Sequence, residues 1–179
     1  EQREPLSATG FYQTPDIDWD PVTCTGSPFY YFSYGVAISE VVIDTLTGEQ
    51  RTLRSDILQD CGSSLNPRVD YGQIEGAFVQ GMGWLTSEEL VWDDKGRLLT
   101  HGPSTYKIPG SRDVPPEFNI HILEDAPNRM PTIYRSKAIG EPPLMLAISV
   151  WLAIRDAVAR LGDGRTMPDL NAPATPEAI

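Results

Sequence analysis

Apolar and β-branched positions in the first half of the chain predict a β-hairpin. Residues 32–43 are rich in aromatic and β-branched side chains, residues 44–48 have the composition of a turn, and residues 52–58 resume an extended pattern. Apolar and polar residues alternate over residues 118–122, which predicts a further half-buried strand. Residues 88–100, with a turn-like centre, predict a second hairpin.

Two helices are predicted, one rich in glycine and one apolar. Asn66 and Pro67 have the composition of an N-cap and a first helical residue, and apolar residues follow at helical spacing as far as Leu85. Four glycines lie in this helix, and each lowers helicity by about 1 kcal/mol relative to alanine, which favours close packing against another element. Residues 142–161 predict a long apolar helix that ends at Gly162.

These elements predict an α+β fold: mixed sheet hairpins packed with the glycine-rich helix and the long C-terminal apolar helix. The 179 residues have room for one domain with a hydrophobic core. Proline distribution predicts an extended arm over residues 1–31, a main segment over residues 32–162 and a proline-rich tail over residues 163–179.

Charge and composition exclude several classes of partner. The chain has 14 Lys and Arg against 25 Asp and Glu, a net charge of −11, which disfavours binding to nucleic acid or to an anionic membrane. The apolar stretch over residues 142–154 is shorter than the roughly 20 residues that span a bilayer. The first residues do not have the pattern of a secretory signal, so we expect a cytoplasmic protein.

Few cysteine and histidine residues are available to bind a metal. The two cysteines and two histidines fit neither a disulfide framework nor a zinc or iron–sulfur ligand set. We therefore expect no metal on the Cys or His side chains of this chain.

The segment SKAIGEPPL, residues 136–144, contains a constrained carboxylate, Glu141. Pro142 disfavours the α conformation at Glu141 and Pro143 cannot donate a backbone hydrogen bond, so Glu141 is predicted to occupy a helix cap. The positive end of a helix dipole favours an ionised carboxylate, which is a competent base. A purely structural N-cap explains the same pattern, and spacing alone leaves both alternatives open.

Two further segments carry polar groups suited to ligand binding. Gln73 and Gln80 are two helical turns apart, so their amides could face one polar ligand, although a solvated helix face accounts for them equally well. The segment GPSTYKIPG, residues 102–110, gathers hydroxyls with Lys107 in a loop that could hold an anion such as phosphate. It does not have the spacing of a P-loop.

Taken together, the long motifs identify a family. They occur in the order SATGFY, FYYFSYGVA, SSLNP, GQIEGAFVQGMGWLTSEEL, GPSTYKIPG and SKAIGEPPLMLA. From residue 6 to residue 159 the chain resembles the C-terminal part of the molybdopterin-binding domain of xanthine dehydrogenases, which belong to the molybdenum hydroxylase family. The double proline after Glu141 favours this branch over aldehyde oxidases and carbon monoxide dehydrogenases.

The resemblance implies a reaction and site residues. Glu141 matches the catalytic glutamate, a general base that takes a proton from a hydroxyl ligand on molybdenum during oxidation of hypoxanthine and xanthine to urate with water. Gln73 matches a glutamine that hydrogen-bonds the molybdopterin cofactor, and Ser104 and Lys107 lie in a matching motif that implies a further cofactor contact. Electrons would leave through iron–sulfur clusters and FAD to NAD, on modules outside this chain.

The resemblance also implies missing parts. The residues that grip the purine, other cofactor loops, and the FAD and 2Fe-2S modules have no counterpart in these 179 residues. We therefore expect a fragment that is inactive alone, whose partners are the remainder of the large subunit and the electron-transfer modules, in an oligomer. Apolar surfaces on the two helices should be exposed. Two alternatives stay open: a non-catalytic assembly or binding module, and a hydroxylase of another N-heterocycle or an aldehyde.

Overall fold

The computed structural model describes residues 6–162 and 164–179, and the chain divides into two units after Phe32. In the first unit, strands β1 (Asp18–Asp20) and β2 (Thr25–Ser27) pair antiparallel. The Asp20 carboxylate accepts a hydrogen bond of 2.8 Å from the backbone N–H of Val22 and so holds the turn between them. The segment predicted as an extended arm therefore contains a short hairpin.

The second unit is built on a mixed three-stranded sheet, which confirms the predicted α+β class. Strands β3 (Gly35–Ile43) and β4 (Gln50–Gln59) form the predicted antiparallel hairpin. Strand β5 (Glu117–Ile122) lies parallel to β4, and the strand order is β3-β4-β5. A parallel pair needs a long crossover connection, and here that connection contains the glycine-rich helix.

Helix α1 (Pro67–Thr86) begins where the sequence predicts. The side chain of Asn66 caps it by accepting a hydrogen bond from the backbone N–H of Val69, at 3.5 Å. Pro67 is the first helical residue, where a missing N–H costs no hydrogen bond.

The long apolar helix predicted from residue 142 is wrong. Residues Pro142–Ala147 form a 3₁₀ segment, and helix α2 (Ile148–Leu161) has only 14 residues. Two consecutive prolines remove two backbone donors, and the first one available, the N–H of Leu144, bonds to the carbonyl of Glu141 at 3.1 Å. Within residues 6–162 and 164–179, no helix is long and apolar enough to cross a membrane.

The second predicted hairpin is reduced to a turn. Trp92 and Leu98 form a single isolated bridge, and no strand extends on either side of it. The turn itself is confirmed, since the backbone N–H of Asp93 bonds to the carbonyl of Arg97 at 3.0 Å and the Asp93 carboxylate accepts from the N–H of Lys95. The flanking residues are mostly exposed, and among residues 6–162 and 164–179 no third strand pairs with them.

The core of the second unit lies between the sheet, α1 and α2. Its members are buried side chains from β4 and the loop after it, α1, the 3₁₀ segment, α2 and the end of the chain: Ile57, Cys61, Ile74, Phe78, Met82, Leu85, Ala147, Val150, Ile154, Leu170 and Ala174. The N–H of Ala174 bonds to the carbonyl of Leu85 at 2.8 Å, so the proline-rich tail packs on α1. The domain limits at residues 31 and 162 stay predictions.

Apolar side chains on both helices are exposed, as expected. Trp84 on α1 is 48% exposed, Met145 in the 3₁₀ segment 50%, and Leu152 on α2 49%. Self-association through these surfaces stays a prediction.

Gly81 and Gly76, both on α1, differ in how closely other atoms approach them. A Cβ on Gly81 would lie 2.4 Å from the carbonyl oxygen of Leu144 and 2.9 Å from the Cβ of Ala147, so only glycine allows α1 to approach the 3₁₀ segment this closely. A Cβ on Gly76 would meet no atom within 4 Å.

Alanine at these two glycines should act in opposite directions. Gly81→Ala forces α1 away from the 3₁₀ segment and should lower the free energy of unfolding by about 1–3 kcal/mol, because the obstacle is backbone. Gly76→Ala should raise it by about 0.5–1 kcal/mol through helix propensity. Urea denaturation of the chain followed by circular dichroism measures both. Equal effects of the two substitutions would contradict the close-packing account.

Candidate functional site

Glu141 lies at the start of the 3₁₀ segment, with its side chain exposed. It is the N-cap residue of that segment, but its backbone is in the α region (φ −107°, ψ −37°) and its side chain makes no capping hydrogen bond. The predicted cap position is therefore confirmed, although the backbone of Glu141 adopts the α region, which a following proline disfavours without forbidding. Helix α2 begins at Ile148, seven residues after Glu141, so the dipole of α2 does not reach the Glu141 carboxylate.

The structure places the side chain of Gln73 beside Gly140, the residue that precedes Glu141. A Cβ on Gly140 would lie 3.3 Å from Oε1 of Gln73, so the glutamine side chain lies against the residue that precedes Glu141. Gln73, Gly140 and Glu141 are all exposed. An amide, a carboxylate and a stretch of backbone without a side chain thus share one accessible patch, which we call the Gln73–Glu141 patch.

A buried ion pair lies next to this patch in the sequence. The ammonium Nζ of Lys137 lies 2.5 Å from Oδ2 of Asp60, and the two side chains are 9% and 7% exposed. The Lys137 ammonium also lies 5.1 Å from the centre of the Tyr34 ring. The sequence pattern does not predict this pair; the available signal was the position of Lys137 directly before Ala138 and Ile139.

The loop that carries Ser104 and Lys107 lies away from the Gln73–Glu141 patch, beyond the C-terminal end of α1. The hydroxyl of Ser87 donates a hydrogen bond of 2.7 Å to the carbonyl of Lys107, and Tyr106 donates one of 2.6 Å to the Glu88 carboxylate, which raises the pKa of Tyr106. Both anchors follow the C-terminal end of α1, about 20 Å along the helix from Gln73. The structure does not bring Ser104 and Lys107 to the Gln73–Glu141 patch.

Lys107 instead lines an open cavity of about 900 Å³. The walls of the cavity come from the β3–β4 turn, the end of α1, residues 107–113 and residues 174–177. It holds acidic and basic side chains in mixture, among them Glu49, Arg51 and Arg112. In the described part of the chain, no three His, Cys, Asp or Glu residues come together in a way that could hold a metal ion.

Cys61 is a core residue. It is 1% exposed, and burial, followed by the nearby carboxylates of Asp70 and Asp60, raises the pKa of its thiol to about 12. Cys24 is exposed, and both cysteines are free thiols. The protonated Cys61 thiol packs as a small apolar side chain.

Comparison with known proteins defines the class. Residues 1–115 match the family model for the molybdopterin cofactor-binding domain. The chain therefore belongs to this family, and the cofactor of its class is the molybdenum cofactor.

The relatives are more specific. The chain is 56% identical over 97% of its length to xanthine dehydrogenase/oxidase of Felis catus and 55% identical over 99% to xanthine dehydrogenase of Dictyostelium discoideum. Among solved structures, it is similar to quinoline 2-oxidoreductase from Pseudomonas putida 86, with 34% identity over 77% of the chain and a TM-score of 0.67. The chain spans 13–14% of these curated relatives and 17% of that solved chain.

The Gln73–Glu141 patch fits a cofactor of this kind. Its amide can both donate and accept hydrogen bonds, which suits a polar heterocycle such as a pterin. Gly140 has no side chain, so a ligand can approach the backbone where a Cβ would otherwise lie against Oε1 of Gln73.

The two thiols should differ in reactivity. On treatment of the folded chain with iodoacetamide between pH 7 and 9, Cys24 should be alkylated and Cys61 should stay unmodified, because only a thiolate attacks the reagent. Mass spectrometry of the digested protein measures each site. Both cysteines should react after denaturation in guanidinium, and equal alkylation in the folded chain would contradict the burial of Cys61.

Proposed function

We propose that this chain forms part of the molybdenum-cofactor domain of a larger enzyme, in which Glu141 acts as general base and Gln73 hydrogen-bonds the molybdopterin cofactor. The observation that carries the proposal is the juxtaposition of the Gln73 amide with Gly140, directly before an exposed glutamate. A base needs an accessible carboxylate at a defined position, and the packing of the 3₁₀ segment against Gly81 of α1 supports such a position.

The proposed reaction is the oxidative hydroxylation of hypoxanthine and xanthine to urate, with water as the source of oxygen. Its support is the identity of 55–56% to xanthine dehydrogenases of a mammal and an amoeba. The bound molybdenum cofactor would supply oxygen transfer and accept the two electrons.

Within this reaction, the chain's own residues move a proton and hold a ligand. The Glu141 carboxylate accepts the proton of the attacking oxygen, which makes that oxygen a better nucleophile. Gln73 orients the cofactor through its amide, which can donate from Nε2 and accept at Oε1. A contact of Ser104 or Lys107 with the same group would require it to reach about 20 Å along α1, and these two residues remain sequence predictions.

Electrons would leave through 2Fe-2S clusters and FAD to NAD, on parts of the enzyme outside this chain. The proposed partners are the rest of the large subunit and these modules, in an oligomer. Both cysteines are free, which favours the reducing cytoplasm as the compartment.

The non-catalytic module, in which Glu141 is a plain N-cap, loses support, whereas a hydroxylase of another substrate keeps some. As a plain N-cap, Glu141 would place its side chain on a backbone N–H, and no capping hydrogen bond of this kind is formed. A different N-heterocyclic substrate keeps some support from the likeness to quinoline 2-oxidoreductase, at 34% identity, below the 55–56% identity to xanthine dehydrogenases. Comparing the turnover of xanthine, hypoxanthine and quinoline by the full enzyme decides between the substrates.

Removal of the Glu141 carboxylate should stop catalysis in the full enzyme. Glu141→Gln and Glu141→Ala should lower kcat for xanthine by roughly 10²- to 10⁴-fold, because the proton acceptor is lost, while the molybdenum content stays unchanged. Stopped-flow reduction by xanthine and metal analysis measure the two quantities. Glu49→Gln, at the β3–β4 turn, is the matched control, and turnover like that of the wild type in Glu141→Gln would refute the proposal.

Truncation of Gln73 should weaken cofactor binding. Loss of one hydrogen bond of about 1 kcal/mol corresponds to roughly fivefold weaker binding, so Gln73→Ala should retain less molybdopterin after dialysis. Gln80→Ala is the matched control, since it removes the same amide two turns further along α1. The fluorescence of the oxidised pterin released from each protein measures the retained cofactor, and equal retention by both variants would contradict a contact at Gln73.

A further inference from the structure

We propose that the buried ion pair between Lys137 and Asp60 is a positioning device that holds Glu141 beside Gln73. This inference rests on the proposed function of Glu141. The pair joins the end of β4 to the segment that carries Glu141, and 77 residues separate its members in the sequence.

Asp60, the member of the pair that follows β4, is held by several hydrogen bonds. The backbone N–H of Asp60 bonds to the carbonyl of Tyr34 at 2.8 Å, and the Asp60 carbonyl accepts a hydrogen bond from the Ser33 hydroxyl at 2.8 Å. The Asp60 carboxylate accepts a bond of 2.9 Å from the N–H of Gly62 through Oδ1, which leaves Oδ2 for Lys137. The Asp60 carboxylate is therefore oriented independently of its contact with Lys137.

The backbone around Lys137 is fixed to the same loop. Its N–H bonds to the carbonyl of Cys61 at 2.8 Å, and the N–H of Ser63 bonds to the carbonyl of Arg135 at 3.0 Å. Gly62, in a left-handed conformation, allows this approach: a Cβ there would lie 2.4 Å from the carbonyl oxygen of Arg135. Side-chain and backbone bonds thus hold the same residue.

The position of Lys137 is transmitted to Glu141 over four residues. Ile139 packs against the core, and Gly140 lies against the Gln73 side chain. The segment therefore has contacts with the loop, the core and α1 in succession, and a shift at Lys137 moves Gly140 and Glu141 relative to Gln73. Because a misplacement of about 1 Å can cost roughly 100-fold in rate, a remote pair of this kind can control catalysis without touching substrate.

The test uses the full molybdenum enzyme with three variants: Lys137→Met, Asp60→Asn and the double variant Lys137→Met/Asp60→Asn. The double variant leaves no buried charge without a partner, and the amide oxygen that Asp60→Asn introduces can still accept from the N–H of Gly62, so this variant should fold even if a single one does not. Arg97→Met, which removes an exposed ion pair with Asp93, is the control.

We expect the double variant to lose roughly 100-fold in kcat with KM within about twofold of the wild type, at unchanged molybdenum content. Hydrogen–deuterium exchange of the cofactor-free full enzyme should become faster in a peptide that covers residues 137–141 and stay unchanged in peptides of α2. A merely structural role predicts instead that the double variant, with its charges removed together, recovers kcat along with thermal stability.

The same series includes Glu141→Gln. A double variant with kcat like that of the wild type, or exchange unchanged over residues 137–141, overturns the positioning role while Glu141→Gln stays inactive. If Glu141→Gln is fully active, the proposed function itself is wrong, and positioning of Glu141 falls with it.

Discussion

The close approach of α1 to the 3₁₀ segment at Gly81 is the constraint on which the candidate site depends. The carbonyl oxygen of Leu144 occupies the space where a side chain on Gly81 would begin. An α-helix is rigid over this length, so the contact at Gly81 also sets the place of Gln73, about 12 Å earlier along the same helix. The glycine that weakens α1 as an isolated helix is therefore what allows Glu141 and Gln73 to share one patch.

Local patterns are sufficient for elements whose determinants are adjacent in sequence. The hairpin β3–β4 follows from an apolar, β-branched run, a turn and a second extended segment. Asn66 caps α1 because its side chain needs only the N–H of a residue three positions later. The strand at residues 117–122 is equally predictable from its alternation. Its parallel pairing with β4 is not, because alternation fixes which face is buried and leaves the direction of the neighbour open.

Features that depend on distant residues are harder to predict. Helical spacing after Pro142 predicts one long helix, although two missing N–H groups allow a 3₁₀ start. Glu141 adopts the α region against the local preference before proline, and its neighbours Gly140 and Leu144 lie close to Gln73 and Gly81 of α1. Proximity of Gln73 to Glu141 is implied only by the family resemblance, since 68 positions separate them in the sequence.

The buried ion pair of Lys137 and Asp60 gives a direction to the packing that apolar side chains at the same place would not give. Burying a cation and an anion has a large desolvation cost, and well-packed apolar side chains of similar volume often give equal or greater stability. Apolar packing is non-directional, however, whereas a lysine on a carboxylate oxygen that is itself oriented by the N–H of Gly62 has one preferred position. A directional contact is of most use where the following residues must present one group at one place, and four residues after Lys137 the chain presents Glu141.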